Sequence, residues 1–326
     1  MDNMKLGKTG LNVSKIGLGT WAIGGGPAFK DTDDKAVSIA TIQAALKNGI
    51  NFIDTAPGYN FGNSEKIVGE AIKGNREEYT IITKCGITWE RKGALFNKVG
   101  DRQLYKNLSP ESIALELKDS LKRLQTDYID IYMTHWPSVE PYKTSVKETM
   151  TYLMGLKKKG IIKGIGAANV NADDVREYLR YGELDIVQAK YSILDREVEG
   201  DLLPLCKKND IVLQAYSPLA MGILSGTIGR DYVPAKGSAQ NGKKWFEPKK
   251  LAAINDMLDA WASLTDKYNC SLANLAIAWV LAQGNNVNVL SGSTTPEQLD
   301  ENSKAMHINL APADAADMLE MAKKID

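Results

Sequence analysis

"GINFIDTAPGY", residues 49–59, runs apolar as far as Ile53 and then breaks into Asp54, Pro57, Gly58 and Tyr59. A short apolar run between Gly49 and Pro57 reads as a buried strand that stops being apolar where its end faces a cavity. Seven other runs share this character. They are "KIGLGT" (15–20), "YTIITK" (79–84), "YIDIYMTH" (128–135), "KGIGAA" (163–168), "IVQAKY" (186–191), "IVLQAY" (211–216) and "VNVLSG" (287–292).

Stretches of helical period lie between them. Residues 34–47 put Val37, Ala40, Ala44 and Ala45 on one stripe, and residues 109–124 open with Ser109 as N-cap and Pro110 at the first helical position. "SVKETMTYLMGLKKKG" (145–160) ends in lysines and Gly160, which suit a helix C-terminus. "NADDVREYLRYG" (171–182), "LTDKYNCSLANLAIAWVLAQ" (264–283) and "TPEQLDEN" (295–302) complete the series, with a weaker pattern over 197–209. Repeated strand–loop–helix units imply a parallel sheet with right-handed crossovers. Eight units without a change of character predict a (β/α)8 barrel in one domain over residues 1–326. Two segments fall outside the repeat: residues 4–14 read as a hairpin turning at Gly7–Gly10 that plugs one end, and Gly-rich residues 225–249 as a long loop after the seventh strand.

The composition is that of a soluble globular protein, 44% hydrophobic and 25% charged. Its 40 basic and 40 acidic residues cancel, which leaves no global field for nucleic acid or an anionic membrane. Cys85, Cys206 and Cys270 are scattered and form no CxxC pair, so neither a disulfide framework nor a cysteine metal site is expected, and a reducing cytoplasm fits. No run approaches the length of a membrane span.

A barrel collects its chemistry at the C-terminal strand ends. Asp54 ends the second strand, Lys84 the third and His135 the fourth; Asn169 follows the fifth, Gln188 lies in the sixth, and Tyr216 and Ser217 end the seventh. With Tyr59 these side chains suit proton transfer to an oxygen that is becoming an alkoxide. Lys84 is expected to stabilise the phenolate of Tyr59, Asp54 to hold Lys84, and His135 to orient a carbonyl oxygen. Pro57 and Gly58 are read as the bend that returns Tyr59 over the barrel mouth. No metal triad is available, since His135 and His307 are the only histidines.

A carbonyl reduction needs a hydride from a cofactor. "KGIGAANV" (163–170) imitates a dinucleotide fingerprint, but Asn169 stands at its third glycine position and Asp185 starts a strand instead of ending one. The alternative phosphate site is the last loop, "SGSTTPEQLDEN" (291–302), which leads into a helix N-terminus.

"GINFIDTAPGY" followed by "GNSEKIVGEAI", "ITK" and "THWP", and later "QAYSPLAMGILSG" and "SGSTTPEQLDEN", resemble in order and spacing the signature segments of the aldo-keto reductases, through essentially the whole chain. The resemblance implies a catalytic tetrad of Asp54, Tyr59, Lys84 and His135, with Tyr59 as general acid in reduction and base in oxidation. It implies a nicotinamide cofactor at the barrel mouth, its amide meeting Asn169 and Gln188 near Asp54 and its ring on Tyr216. Thr20 and Trp21 would border it, Ser217 and Leu219 would take the pyrophosphate side, and Ser293, Gln298, Glu301 and Asn302 the adenosine end.

The sequence departs from the family pattern in two places. Ala168 stands where many members have serine, and the last loop lacks the Lys or Arg that selects NADP(H). Arg230 and Lys236 in the long loop are the substitute partners for a 2′-phosphate, so NADP(H) is expected, with NAD(H) as the alternative. Trp21, Trp89 and Trp136, with Tyr59 and His135, are candidate walls for a small carbonyl or polyol substrate, and Trp245 and Phe246 could close the pocket from the long loop. A nucleotide-sensing subunit with little turnover is the competing reading, weakened by the intact tetrad. A Schiff-base aldolase would need Lys84 uncharged, which Asp54 opposes.

Overall fold

The computed structural model describes residues 3–26 and 34–325. Numbered in chain order, β1 (Asn3–Lys5) and β2 (Asn12–Ser14) form an antiparallel hairpin. The eight runs read as barrel strands then appear as β3 (Ile16–Gly19), β4 (Phe52–Asp54), β5 (Thr80–Cys85), β9 (Ile129–Thr134), β10 (Ile162–Ala168), β11 (Ile186–Lys190), β12 (Val212–Tyr216) and β13 (Val287–Gly292). Each pairs in parallel with the next, and β13 returns to β3, closing the barrel. The register sets Gly292 beside Gly19, Gly19 beside Asp54, Asp54 beside Ile82 and Lys84 beside Met133, so the polar strand ends lie around one rim.

Two apolar layers hold the fold. The inner one joins Phe52, Ile82, Ile131, Met133, Ile186 and Val212 of the barrel to Met4, Leu6 and Val13 of the hairpin, so the hairpin does plug the barrel floor. It is tied down by Asp185, which accepts the backbone N–H of Lys8 at 3.1 Å and that of Ile165 at 3.0 Å. The outer layer lies between the strands and the helices: α1 (Lys35–Lys47), α2 (Asn63–Ala71), α3 (Pro110–Leu124), α4 (Val146–Lys158), α5 (Ala172–Tyr181), α6 (Leu202–Lys208), α7 (Pro248–Ala260), α8 (Ala262–Tyr268), α9 (Leu272–Leu281), α10 (Pro296–Ser303) and α11 (Pro312–Ala322). Ser109 caps α3 through the N–H of Ser112, and Ser145 and Glu148 form a capping box on α4.

The structure departs from the sequence pattern in four respects. On α1 the buried face is Ser38, Thr41, Ile42 and Ala45, leaving Val37 and Ala40 exposed, because Thr41 satisfies its hydroxyl on the Val37 carbonyl at 2.8 Å and can be buried. The stretch 264–283 is two helices, broken where Asn269 takes φ 46° and Ser271 caps a new start. Helices α2, α7 and α11, which lie outside the helical stretches read from the sequence, bury Ile67, Val68 and Ala71, Leu251, Ile254 and Leu258, and Met318 and Ala322 respectively. Finally, β6 (Ile87–Thr88), β7 (Ala94–Val99) and β8 (Arg102–Lys106) form a small antiparallel sheet inserted directly after β5.

Helix α2 seats the loop that carries Tyr59, and Gly69 lets it pack on α3. A Cβ at Gly69 would stand 2.5 Å from the backbone oxygen of Arg123. Gly69→Ala is expected to lower unfolding free energy by about 1–3 kcal/mol, because backbone cannot move aside as a side chain would, and a guanidinium unfolding curve reads the loss directly.

Candidate active site

Lys84 is fully buried at the end of β5, and Asp54, 1% exposed, ends the neighbouring strand β4. The Lys84 ammonium donates to Asp54 Oδ1 at 2.6 Å, Oδ2 at 2.7 Å, the Thr55 carbonyl at 3.1 Å and the Tyr59 hydroxyl at 3.1 Å. Burial lowers the ammonium's pKa, and the Asp54 carboxylate pulls it back up. The His135 ring meets Tyr59 edge-on, with centroids 5.8 Å apart. Asp54, Tyr59, Lys84 and His135 therefore come together at the C-terminal rim.

Tyr59 reaches this position through an unusual backbone. Asn60, Phe61 and Gly62 all have positive φ, at 45°, 54° and 81°. Two of these are not glycine, and such strain persists only where the surroundings over-determine it. The restraint is visible: Asn60 Nδ2 and Asn63 Nδ2 donate to the Gly24 carbonyl at 2.7 and 2.9 Å. The chain does bend at Pro57 and Gly58, where the Tyr59 N–H donates to the Ala56 carbonyl at 3.1 Å, and the left-handed residues 60–62 extend that turn beyond Tyr59. Gly58 sits against Ile87 and His135, where a Cβ would stand 3.3 Å from Ile87 Cγ2 and 3.9 Å from His135 Cε1.

The charges in the site also differ from expectation. The Tyr59 phenol is pushed well above its ordinary pKa, first by burial and then by the Asp54 carboxylate. His135 is pushed well below its ordinary value by burial, with further repulsion from Lys84 and Lys106. At neutral pH both are uncharged and each can donate a hydrogen bond.

A support that periodicity does not reveal runs beneath the pair. Gln188 Nε2 donates to Asp54 Oδ2 at 2.8 Å and to Gln214 Oε1 at 2.7 Å. Gln214 Nε2 donates to Asn288 Oδ1 at 2.8 Å, and Asn288 Nδ2 ends on the Ser14 and Lys15 carbonyls at 2.8 and 2.9 Å. The available signal was an amide inside each of three successive apolar strands, "IVQAKY", "IVLQAY" and "VNVLSG". Thr20 and Ser64 brace the other side, with the Thr20 hydroxyl donating to the Asp54 carbonyl at 2.8 Å and meeting the Ser64 hydroxyl at 2.7 Å.

The residues expected around a cofactor occupy consecutive strand ends, β11 with Gln188, β12 with Tyr216 and Ser217, β13 leading to Ser293, and β3 with Thr20. Asn169, at φ 58°, donates to the His135 carbonyl at 2.9 Å and accepts from the Tyr216 hydroxyl at 2.9 Å. Ser217, Ala220 and Met221 around Leu219 have positive φ, and the Ser291 hydroxyl is buried with no partner among the described residues. Such an orphaned polar group and irregular backbone fit a polar ligand lying along this arc. At its far end Asn302 Nδ2 donates to Ser293 Oγ at 3.1 Å, Gln298 Oε1 accepts from the Thr294 N–H at 2.9 Å, and Glu301 pairs with Lys304 at 2.9 Å.

Arg230 lies elsewhere electrostatically: Asp256 and Asp259 hold its guanidinium at 2.7 and 2.5 Å. Lys236 is exposed on the long loop. Trp245 and Phe246 are 5% and 6% exposed, and Trp245 Nε1 donates to Asp195 at 3.0 Å, so both belong to the core rather than to a pocket wall. Trp21 is exposed, while Trp89 and Trp136 are half-buried against Phe61 and Phe96. Among the described residues no cluster could hold a metal ion, and no helix is long and apolar enough to cross a membrane.

A closed parallel barrel whose rim gathers a phenol, an ammonium, a carboxylate and an imidazole suits proton transfer to a carbonyl oxygen. The aldo/keto reductase family model matches residues 15–323, and the chain belongs to that family. It is 58% identical over 327 residues to an NADH-specific methylglyoxal reductase of Escherichia coli, covering 100% of both chains. It is 36% identical over 324 residues to the aldo-keto reductase YhdN of Bacillus subtilis, covering 98% of this chain and 92% of that one. A glycerol dehydrogenase of Gluconobacter oxydans superposes with a TM-score of 0.89 at 29% identity, covering 99% of this chain and 95% of that chain. The protein is an enzyme that interconverts an aldehyde or ketone and its alcohol with a pyridine nucleotide.

The ion pair can be tested apart from turnover. Lys84→Met strands a buried carboxylate and is expected to cost about 3–5 kcal/mol of stability, whereas adding Asp54→Asn should recover much of it, since an unpaired buried charge costs more than no pair at all. Equal loss in the single and double variants would show that the pair does not hold the rim together.

Proposed function

We propose that this chain reduces a small α-dicarbonyl such as methylglyoxal, using NADH, through Asp54, Tyr59, Lys84 and His135 in the one barrel domain spanning residues 1–326. The observation that carries the reading is the Tyr59 hydroxyl 3.1 Å from an ammonium that is itself locked on both oxygens of Asp54. NADH would supply the hydride to the carbonyl carbon. The residues of the chain supply the rest. The neutral imidazole of His135 orients the carbonyl oxygen by donating to it, and the Tyr59 O–H gives its proton as negative charge grows there. Lys84 then stabilises the phenolate left behind, and Asp54 keeps Lys84 charged and in place. Asn169, Gln188 and Tyr216 would hold the nicotinamide end, with Thr20 and Trp21 beside it. Ser217 and Leu219 would serve the pyrophosphate, and Ser293, Gln298, Glu301 and Asn302 the adenosine. Trp89 and Trp136 would wall the substrate side.

Two observations support NADH over the NADP(H) expected from the sequence. Residues 291–302 hold no Lys or Arg but do hold Glu297, Asp300 and Glu301, an unfavourable field for a 2′-phosphate. Arg230, the guanidinium proposed to replace them, is taken by two aspartates. Methylglyoxal enters through the 58% identical relative and its printed activity. A cytoplasmic setting suits the buried, unpaired Cys85 and Cys206.

In a titration followed by fluorescence quenching, NADH is expected to bind more tightly than NADPH; the reverse order would return the 2′-phosphate to the long loop and Lys236. Tyr59→Phe should still bind NADH yet lose roughly 10²- to 10⁴-fold in turnover of methylglyoxal. The raised Tyr59 pKa sets the sign of the pH response. Reduction uses the protonated phenol, which persists through neutral into alkaline pH, so its rate should stay flat there; alcohol oxidation uses the phenolate and should rise with pH. A reduction rate that falls on crossing neutrality would remove Tyr59 as the proton donor.

A further inference from the structure

The inserted sheet β6–β8 changes what the barrel mouth presents. Its segment 91–106 holds Arg91, Lys92, Lys98, Arg102 and Lys106 against Asp101 alone, in a chain whose charges otherwise cancel. Most buried or half-buried basic residues near the rim are neutralised: Arg91 pairs with Asp119 at 2.7 Å, and Arg123 with Glu65 at 2.5 Å. Arg102 and Lys106 are held differently. The Arg102 guanidinium lies 4.9 Å from the Phe61 ring centroid. Lys106 Nζ lies 4.7 Å from the ring of Trp136 and 5.0 Å from that of Phe96. Among the described residues neither makes an ion pair with a carboxylate.

The distinction matters physically. A carboxylate cancels the field of the cation it holds, whereas a ring face positions a cation and leaves its charge in force. The rings in question are fixed to the reacting groups, since Phe61 follows Tyr59 by two residues and Trp136 directly follows His135. The field of Lys106 reaches the site, where after burial and Lys84 it helps to push the His135 imidazole down. Among the described residues, then, two cations without a carboxylate partner are held on rings that adjoin Tyr59 and His135 in the chain, and the charge of Lys106 is felt at His135.

We infer that Arg102 and Lys106 form an anion subsite at the barrel mouth, selecting aldehydes and ketones that carry a carboxylate or phosphate beyond the reacting carbonyl. The inference deepens the proposed reduction and rests on it: the carbonyl sits at Tyr59 and His135, and the distal anion takes the unpaired charge of the inserted sheet. Methylglyoxal would then be a small substrate that fills only the inner part of the pocket.

The test measures kcat/KM at saturating NADH for two matched pairs, succinic semialdehyde against butanal and glyceraldehyde 3-phosphate against glyceraldehyde. The full-length enzyme should prefer the charged member of at least one pair, and the responding pair identifies the anion as carboxylate or phosphate. Lys106→Met and Arg102→Met should each cut that preference by roughly tenfold, while Lys106→Arg keeps it. A preference unchanged in both methionine variants, or no preference in the parent enzyme, would overturn the inference. Methylglyoxal measured in parallel separates the two readings: its failure as a substrate while the charged aldehydes turn over sinks the dicarbonyl proposal and not the subsite. Quenching by NADH checks that each variant is folded.

Discussion

Everything at the rim depends on keeping one ammonium and one carboxylate together out of water. Lys84 and Asp54 are 0% and 1% exposed, and burial of that kind costs several kcal/mol per ion unless each lone pair and proton is met. Here they are met. The ammonium has Asp54, the Thr55 carbonyl and Tyr59; the carboxylate has Lys84 on both oxygens and Gln188 on one. Gln188 hands its second proton to Gln214, and the chain of amides descends through Asn288 to the carbonyls of Ser14 and Lys15, beside the hairpin that plugs the floor. The plug and the reacting groups are thus two ends of one polar column inside an apolar barrel, and partly breaking such a network is costlier than never building it.

This arrangement decides the protonation of its neighbours. Tyr59 responds first to burial and then to the Asp54 carboxylate and keeps its proton, while His135 responds to burial and to the cations Lys84 and Lys106 and stays neutral. Both then present N–H or O–H to a carbonyl oxygen without an opposing charge. That is the state a reductase requires before hydride transfer, and in the proposed mechanism the lysine acts only once the phenolate forms.

Much of this was legible in the sequence because it depends on local rules. All eight barrel strands are short apolar runs with punctuation at their ends, and Asp54, Lys84 and His135 were identifiable as polar residues at those ends. The hairpin plug and the cap at Ser109 follow from turn and cap chemistry in the same way. What was not legible depends on tertiary context. The buried face of α1 includes Ser38 and Thr41, which a count of apolar residues cannot select. The left-handed turn at Asn60–Gly62 contradicts the local preference of Phe61 and exists only because the Gly24 carbonyl captures Asn60 and Asn63. The raised pKa of Tyr59 comes first from burial, which residue types and spacing alone do not carry.

The inserted sheet escaped for a further reason. Its strands alternate poorly, with Leu95 exposed and Lys98, Arg102 and Lys106 in strand positions, because beside the buried Ile87, Ala94 and Leu104 they pack on four aromatic residues, three from separate loops and Phe96 from β7 itself. Phe61 and Trp89 meet at 5.5 Å, as do Phe96 and Trp136, and the two pairs take up Arg102 and Lys106 respectively. A strand stabilised this way can tolerate charges that a core strand cannot, since its rings accept cations. The barrel interior has the opposite economy, where every charge needs its partner. The reacting groups lie where these two regimes meet, with the Lys84–Asp54 pair on one side and the ring-held cations Arg102 and Lys106 on the other.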